Sequence, residues 1–155
     1  MLRKGDLAKL TKEGPAGVVL LVEALVWLSL ISVAIRILTL EGIARRLGLS
    51  ESGTPIVLAG SQDLLAQDVK RALRAVEGRL PWTCTCLCQA LAGTALLTRR
   101  GLPAVLSLGV AKGGGEAKDR IQAHAWLDCG ALNITGGETS DSFSLLAKFM
   151  TGSSP

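Results

Sequence analysis

The chain has no tyrosine, and aromatic side chains make up only 3% of its 155 residues. Proteins that bind single-stranded nucleic acid stack the bases on aromatic rings, so the sequence argues against that class. Lysine and arginine outnumber acidic residues by 17 to 13, but they are scattered in small groups such as Arg45-Arg46 and Arg99-Arg100. We therefore expect no nucleic-acid partner. Apolar residues reach 48%, which is enough for the core of one domain built mainly from aliphatic side chains.

Four cysteines could form two disulfides, but their clustering argues against a disulfide framework. Three of the four cysteines, Cys84, Cys86 and Cys88, are too close together to join distant loops. The opening residues, 1–6, run into polar sequence without the small-residue cleavage site of a secretory signal. We therefore expect reduced thiols and a cytoplasmic protein.

The longest apolar run, residues 16–40, predicts a helix that begins near Pro15. Its length approaches the ~20 apolar residues that span a bilayer. Glu23 and Arg36 interrupt it, however, and it continues into an amphipathic turn at 41–48. These features favour a helix that is buried or faces a protein partner, and membrane association is the alternative.

The remaining pattern predicts an α+β fold. A linker at 50–60 separates an N-terminal helical region, 1–60, from a domain at 61–155. That domain is expected to open with an amphipathic helix that ends at Gly78, followed by a second helix from about Thr85. We expect strands at 103–110, 120–128 and 131–135, with a glycine-rich loop at 112–116 after the first. A short C-terminal helix is expected to carry four apolar residues: Phe143, Leu145, Leu146 and Phe149.

The cysteine cluster lies at the start of the second of these helices, where a thiolate is stabilised by the helix dipole and by unpaired N–H groups. Position favours Cys84 or Cys86 over Cys88 as a nucleophile. The only histidine, His124, is expected on the second strand, where it could take the thiol proton. Strand alternation places Trp126 on the same face, as the wall of a cleft.

An orienting partner for the imidazole is harder to identify from the sequence. Asp128 lies too far along the strand. If Cys129 and Gly130 form a two-residue turn, Thr135 pairs opposite His124 and Asn133 opposite Trp126. Asn133 then becomes a diagonal neighbour that could hold the imidazole through its amide.

Three other interpretations of the cluster stay open at this point. The cysteines could be inert, small buried residues beside a structural histidine. They could bind zinc together with Cys129, although the paired C-x₂-C spacing of zinc sites is missing. The chain could also be a binding module that docks through its apolar N-terminal helix.

Taken together, the motifs resemble one family, the transglutaminase-like cysteine protease that serves as the stand-alone leader peptidase of lasso-peptide biosynthesis. The similarity covers about 80–150 and includes the Gly136-Gly137 pair. The segments that carry it are Trp82, Cys86-Leu87-x-Gln89-Ala90-Leu91-Ala92, Leu96-Leu97-x-Arg99-Arg100-Gly101-Leu102-Pro103-Ala104, Leu106-x-Leu108-Gly109-Val110 and Ala123-His124-Ala125-Trp126-Leu127-Asp128.

The resemblance implies a papain-like cleft in which Cys86 is the nucleophile and His124 the base. It implies a nucleophile helix packed on a small antiparallel sheet, with no metal or nucleotide required. The implied substrate is a ribosomally made precursor peptide, cut between leader and core. The implied partners are a small leader-binding protein and, as a further one, the macrolactam cyclase. An acyl transferase that uses the same thioester chemistry is the second enzyme interpretation.

One departure from the family pattern concerns the third catalytic residue. Many relatives carry an aspartate about a dozen residues beyond the histidine, where this chain has Ile134-Thr135-Gly136-Gly137. The catalytic group is therefore expected to be a dyad, or to use Asn133 as the third member.

Overall fold

The computed structural model describes residues 14–51, 60–112 and 121–151, together with Gly5, Ala8 and Lys12. The linker expected at 50–60 and the glycine-rich loop expected at 112–116 lie almost entirely outside these ranges. Within them the chain forms α-helices and a five-stranded antiparallel sheet, which confirms the α+β prediction.

The first helix of the described chain, α1 (Pro15–Ile37), has a narrow buried stripe. Proline is suited to the first helical position because its missing N–H would have no partner there. The opposite side of the helix stays apolar but faces solvent. The buried stripe consists of Gly17, Leu20, Ala24, Leu28 and Ile31. The large exposed residues are Val18, Val19, Val22, Leu25, Val26, Leu30, Val33 and Ile37.

By length and composition α1 could cross a membrane, although 22% of its most apolar window is buried in the protein. The same test is passed by core helices of soluble proteins, so it does not decide between the two expectations for this helix. Arg36 lies in the last turn, where a cation interacts favourably with the helix dipole.

Two shorter elements follow α1. The helix α2 (Leu40–Arg46) begins after Thr39, whose hydroxyl accepts a hydrogen bond from the Gly42 N–H. It leads into β1 (Leu49–Ser50), which pairs with the last strand of the sheet.

The helix α3 (Gly60–Glu77) is amphipathic, as its sequence periodicity predicts. The next helix, α4 (Cys86–Thr98), begins one residue after the predicted start and is buried on all sides along most of its length. An α-helix that is apolar all round must be enclosed by protein. α1 and α3 pack against α4 on one side, and the sheet packs against it on the other.

The longer strands of the sheet are β2 (Val105–Lys112), β3 (Ile121–Cys129) and β5 (Ser144–Thr151), and β4 (Leu132–Thr135) forms one edge. The sheet has the order β1-β5-β2-β3-β4, with every pair antiparallel. A 3₁₀-helix (Gly137–Ser142) connects β4 to β5. The three strands predicted from sequence are confirmed with shifts of about one or two residues at their ends.

The C-terminal helix expected around Phe143, Leu145 and Leu146 is wrong, because this segment forms β5 and pairs with β2. The register of the pair shifts between Leu108 and Gly109, which leaves Leu146 as an extra residue on β5. Such a bulge interrupts the alternation that identifies a strand in sequence. Leu145 and Leu146 are consequently both exposed, at 57% and 69%.

The predicted register of the β3–β4 hairpin is also wrong. The turn consists of Gly130 and Ala131, so that Cys129 pairs with Leu132 and Asp128 with Asn133. Gly130 has φ +59°, a conformation that glycine adopts easily, and this places the turn one residue later than expected.

The predicted division of the chain at residue 60 stays a prediction. In the described residues, α1 and the sheet contribute to one continuous hydrophobic core, which surrounds α4.

Glu23, one of the two charged residues inside the apolar run, forms an ion pair that joins α1 to the C-terminal end of α4. Its carboxylate contacts Arg100 closely and Arg99 at 3.4 Å. The hydrogen bond from Arg100 lowers the pKa of Glu23 below its ordinary 4.5, although burial opposes this effect.

We expect Glu23→Gln to reduce the free energy of unfolding by about 1 kcal/mol at pH 7. Because the pKa of Glu23 is lowered in the folded state, this stabilisation is present above pH 4.5 and is lost as the pH falls through the lowered value. Urea denaturation at pH 7 and at successively lower pH measures the difference. Glu41→Gln removes only an exposed pair with Arg45 and serves as the control, with little expected effect. A difference that is independent of pH would contradict the ion-pair explanation.

Candidate active site

The site begins at the N-terminus of α4, where Thr85 is the capping residue. Its hydroxyl accepts a hydrogen bond from the Cys88 N–H at 3.2 Å. Cys86 is therefore the first residue inside the helix. The N–H groups of a first turn have no acceptors within the helix, and the helix dipole favours negative charge there. A thiolate at Cys86 would benefit from both effects, as would an oxyanion formed beside it.

The structure separates Cys86 from the other three thiols by exposure. Cys84, Cys88 and Cys129 are buried, whereas Cys86 is partly exposed. Burial raises the pKa of Cys88 to about 11 and that of Cys129 to about 11, so both thiols are protonated near neutral pH. Sequence position alone does not choose between Cys84 and Cys86. Because Cys84 is buried, Cys86 is the more accessible thiol of the two.

Ser32 of α1 is a polar contact for the residues around the start of α4. Its hydroxyl lies 3.2 Å from Cys88 Sγ and 3.7 Å from Cys84 Sγ. It also accepts a hydrogen bond from the Trp82 indole N–H at 3.3 Å. These contacts direct two of the three clustered cysteines toward α1. Cys84 and Cys88 are packing neighbours of the candidate nucleophile in this arrangement.

Gln89 connects the start of α4 to α3. Its side-chain amide donates to the Glu77 carboxyl at 2.6 Å and to the Cys84 carbonyl at 3.4 Å. Burial raises the pKa of Glu77, and the hydrogen bond from Gln89 partly offsets this. These bonds hold the segment before Cys86 against a neighbouring helix.

His124 lies on β3, on the strand face that it shares with Trp126, as the alternation predicted. The intervening residues Ala125 and Leu127 are buried. The imidazole is stacked near Trp126, with ring centroids 6.1 Å apart, and lies 4.9 Å from the Phe143 ring. The assignment of Trp126 to a substrate cleft stays a prediction.

Gly109, opposite His124 on β2, makes room for these rings. A Cβ at this position would lie 2.8 Å from the Trp126 ring and 3.0 Å from Phe143. Side chains larger than hydrogen are therefore disfavoured there.

The hydrogen bonds of His124 define its tautomer. Nε2 lies 2.7 Å from the Gly136 carbonyl oxygen and 3.2 Å from the Thr139 hydroxyl. A carbonyl oxygen can only accept, so Nε2 carries the proton in this contact. In the neutral ring Nδ1 then has the lone pair, and it is the atom that can act as a base.

Asn133 does not occupy the place expected for it beside the imidazole. Its amide nitrogen donates to Asp128 Oδ1 at 2.7 Å, and its amide oxygen accepts from the Gly137 N–H at 3.0 Å. The shifted hairpin register explains the difference, because Asn133 pairs opposite Asp128 instead of Trp126. The oxygen that contacts His124 belongs instead to Gly136.

A cavity of about 270 Å³ lies where α3, the start of α4 and the segment after β4 meet. Gln89 and Glu77 line it from the helices, and Gly136 and Thr139, the two residues that contact His124 Nε2, line it from the other side. Among the described residues, no hydrogen bond joins the Cys86 thiol to the imidazole. The catalytic roles of Cys86 and His124 stay predictions.

The sequence did not predict the roles of several residues in the site. Ser32 is 50 or more residues from its partners and has no local signal. Gly136 lies 136 − 124 = 12 residues after His124, in the segment where the sequence departs from the pattern of the family that it resembles. Within the ranges that the structure covers, no three His, Cys, Asp or Glu side chains converge as metal ligands would.

We expect brief alkylation of the native protein with iodoacetamide near pH 8 to label Cys86 first. Cys84 is buried, and Cys88 and Cys129 are held as protonated thiols by burial. Peptide mapping by mass spectrometry measures labelling at each site, and full labelling after denaturation is the control. Faster labelling of Cys84 than of Cys86 would contradict the ranking by exposure.

Comparison with known proteins supports the fold and the general chemistry. A scan against protein families matches residues 27–148 to the Transglutaminase-like superfamily, which generally includes cysteine-protease and acyltransferase enzymes. No curated protein and no solved structure gives a significant match. The matched region contains Cys86, His124 and the C-terminal part of α1, and it makes up more than half of the chain. The chain belongs to the transglutaminase-like superfamily.

Proposed function

We propose that this protein is a cysteine peptidase that removes the leader from a ribosomally made lasso-peptide precursor. The observation that carries the proposal is the partly exposed Cys86 at the first position of α4, inside a region that matches the superfamily. The resemblance of the segments around Cys86 and His124 to lasso-peptide leader peptidases supports the substrate.

The proposed reaction has two halves. His124 Nδ1 takes the Cys86 proton, and the thiolate attacks the carbonyl carbon of the last leader residue. As the peptide bond breaks, the imidazolium donates its proton to the departing amine of the core. Water, deprotonated by the same imidazole, then attacks the thioester and releases the leader carboxylate and the thiol.

The geometry supports separate tasks for the groups involved. The first turn of α4 supplies N–H groups for the oxyanion, and the Gly136 carbonyl holds Nε2 so that Nδ1 is the reactive nitrogen. The proposal requires no metal or nucleotide, and it places the enzyme in the cytoplasm with its precursor peptide.

The test is incubation of the purified protein with precursor peptide and the leader-binding protein, followed by mass spectrometry of the products. We expect separate leader and core peptides, and a loss of roughly 10³-fold or more in Cys86→Ala and His124→Ala. Cys84→Ala is the matched control and should retain cleavage. Unchanged cleavage by Cys86→Ala would refute the proposed nucleophile.

The same reaction distinguishes the acyl-transferase alternative. If an added amine captures the thioester, the leader appears as an amide instead of a free acid. A predominant amide product at modest amine concentration would replace the peptidase proposal by acyl transfer.

The exposed stripe of α1 is assigned in this proposal to the leader-binding protein. Val18, Val22, Val26 and Leu30 recur at four-residue spacing and are all roughly half exposed. An exposed apolar surface of this length is typical of a docking site.

We expect the double substitution Val22→Glu and Val26→Glu to weaken the complex with the leader-binding protein at least tenfold, because it places charge in an apolar interface. Affinity measured by calorimetry tests this, with unchanged thermal unfolding and Cys86 alkylation as evidence of an intact fold. Leu64→Glu, at a 62% exposed position on α3, is the control. Unchanged affinity, or binding to anionic lipid vesicles that the double substitution abolishes, would contradict the assignment.

A further inference from the structure

One peptide group lies between His124 and Asn133. The carbonyl of Gly136 accepts a hydrogen bond from His124 Nε2 at 2.7 Å, and the N–H of Gly137 donates to Asn133 Oδ1 at 3.0 Å. This carbonyl and this N–H belong to the same planar, resonance-polarised amide. The orientation of the Asn133 side chain therefore determines the direction of the carbonyl that holds the imidazole.

Asn133 is itself oriented by a carboxylate. Its amide nitrogen donates to Asp128 Oδ1 at 2.7 Å and lies 3.3 Å from the carbonyls of Leu127 and Thr135. A carboxylate and two carbonyls accept, and the Gly137 N–H donates, so only one assignment of the amide O and N satisfies all four contacts. Lys70 donates to the Asn133 main-chain carbonyl at 2.6 Å and holds the backbone at this point.

The two glycines allow this arrangement sterically. Gly136 has φ +73°, and a Cβ there would lie 2.5 Å from the Ala125 carbonyl oxygen and 3.2 Å from His124 Nε2. A Cβ on Gly137 would overlap the Asn133 amide. Any larger residue at either position would displace the peptide group from the imidazole or from Asn133.

We propose that Asp128 and Asn133 act as positioning residues for His124, through the Gly136–Gly137 peptide group, in place of a directly bonded triad acid. This inference deepens the proposed peptidase function and rests on it for its catalytic consequence. The three hydrogen bonds run in one direction, from the imidazole toward the carboxylate, so each polarises the next. The negative end favours the imidazolium that forms when Cys86 is deprotonated.

Other charged groups near this chain of bonds partly balance one another. Lys70 and Arg74 approach from α3, and Arg74 pairs with Glu138 at 3.5 Å. Burial lowers the pKa of Lys70. Thr139 adds a second contact to Nε2 at 3.2 Å, but it does not connect to Asp128 in the part of the chain that the structure covers.

The test determines which nitrogen of the His124 ring is protonated. It uses ¹H–¹⁵N correlation spectroscopy of ¹⁵N-labelled protein prepared without a polyhistidine tag. His124 is the only histidine, so its ring signals need no assignment. We expect the neutral ring to carry its proton on Nε2, with slow exchange against water. A neutral ring protonated on Nδ1 would overturn the proposal without any variant.

Two variants then test the chain of bonds. Asn133→Leu should give mixed tautomers, faster exchange of the Nε2 proton and a kcat for precursor cleavage about tenfold lower, as for loss of a residue that orients a reacting group. Asp128→Asn retains an acceptor for Asn133 but removes the charge, and should keep the tautomer while lowering kcat at unchanged KM. Asp141→Asn removes a carboxylate from the 3₁₀-helix that begins at Gly137 and is the control, with no change expected in either measurement.

The outcomes separate this inference from the proposed function. An unchanged tautomer and kcat in Asn133→Leu would overturn the positioning role even if the protein is a peptidase. A correct tautomer in the native protein that is lost in Asn133→Leu would support the positioning role even if no precursor is cleaved. In the second case the failure lies with the proposed substrate and reaction.

Discussion

The burial of α4 is the constraint on which the rest of the structure depends. From Ala90 to Leu97 every residue of this helix is buried, so protein must surround it completely. α1 and α3 enclose one side and the sheet encloses the other. Gly93 shows how close this packing is, because a Cβ there would lie 2.5 Å from Leu127 on β3 and 3.2 Å from Leu73 on α3. A helix held in this way cannot shift along its axis, and its first residue, Cys86, is held with it.

The four thiols differ in how deeply they lie in this core. Desolvation disfavours a charged sulfur, so Cys88 and Cys129, inside the core, are kept protonated. Cys86 lies at the end of the helix, where its side chain is partly exposed. The contrast arises within a single helical turn, from Cys86 to Cys88. Of the three clustered cysteines, only Cys86 is therefore accessible to solvent.

The imidazole is organised by hydrogen bonds instead of by burial. The shorter of its two hydrogen bonds is to the Gly136 carbonyl, whose peptide group is oriented by Asn133, and Asp128 orients Asn133. A main-chain carbonyl carries less charge than a carboxylate, but it is fixed more firmly, since the backbone on both sides is held. Glycine at both positions is the steric condition for this arrangement.

The features that could be predicted from the sequence are those that depend on interactions between residues close together in the chain. The approximate start of α4, the alternation of His124 and Trp126 along β3, and the approximate ends of three strands depend on neighbouring residues, and all were predicted. β5 was not predicted because it contains a bulge, and the hairpin register was not predicted because its turn forms at Gly130 and Ala131, one residue later than expected. Leu146 is an extra residue opposite β2, and Ile134 is an extra residue opposite β3. A single inserted residue reverses the alternation that sequence analysis relies on.

By itself, the sequence determined the fold class, the helix that carries the cysteines, and the pairing of one thiol with one histidine as the candidate chemistry. These follow from periodicity and from the small number of reactive side chains. Only the tertiary structure decided which thiol is accessible, which imidazole nitrogen is protonated, and that Asn133 contacts a peptide group instead of the ring. Each of these depends on residues far apart in sequence, such as Ser32 with Cys88, or on a main-chain oxygen. Every residue has a main-chain carbonyl, so the sequence does not indicate which carbonyl will bind a side chain. Only the fold brings a particular carbonyl and its partner together.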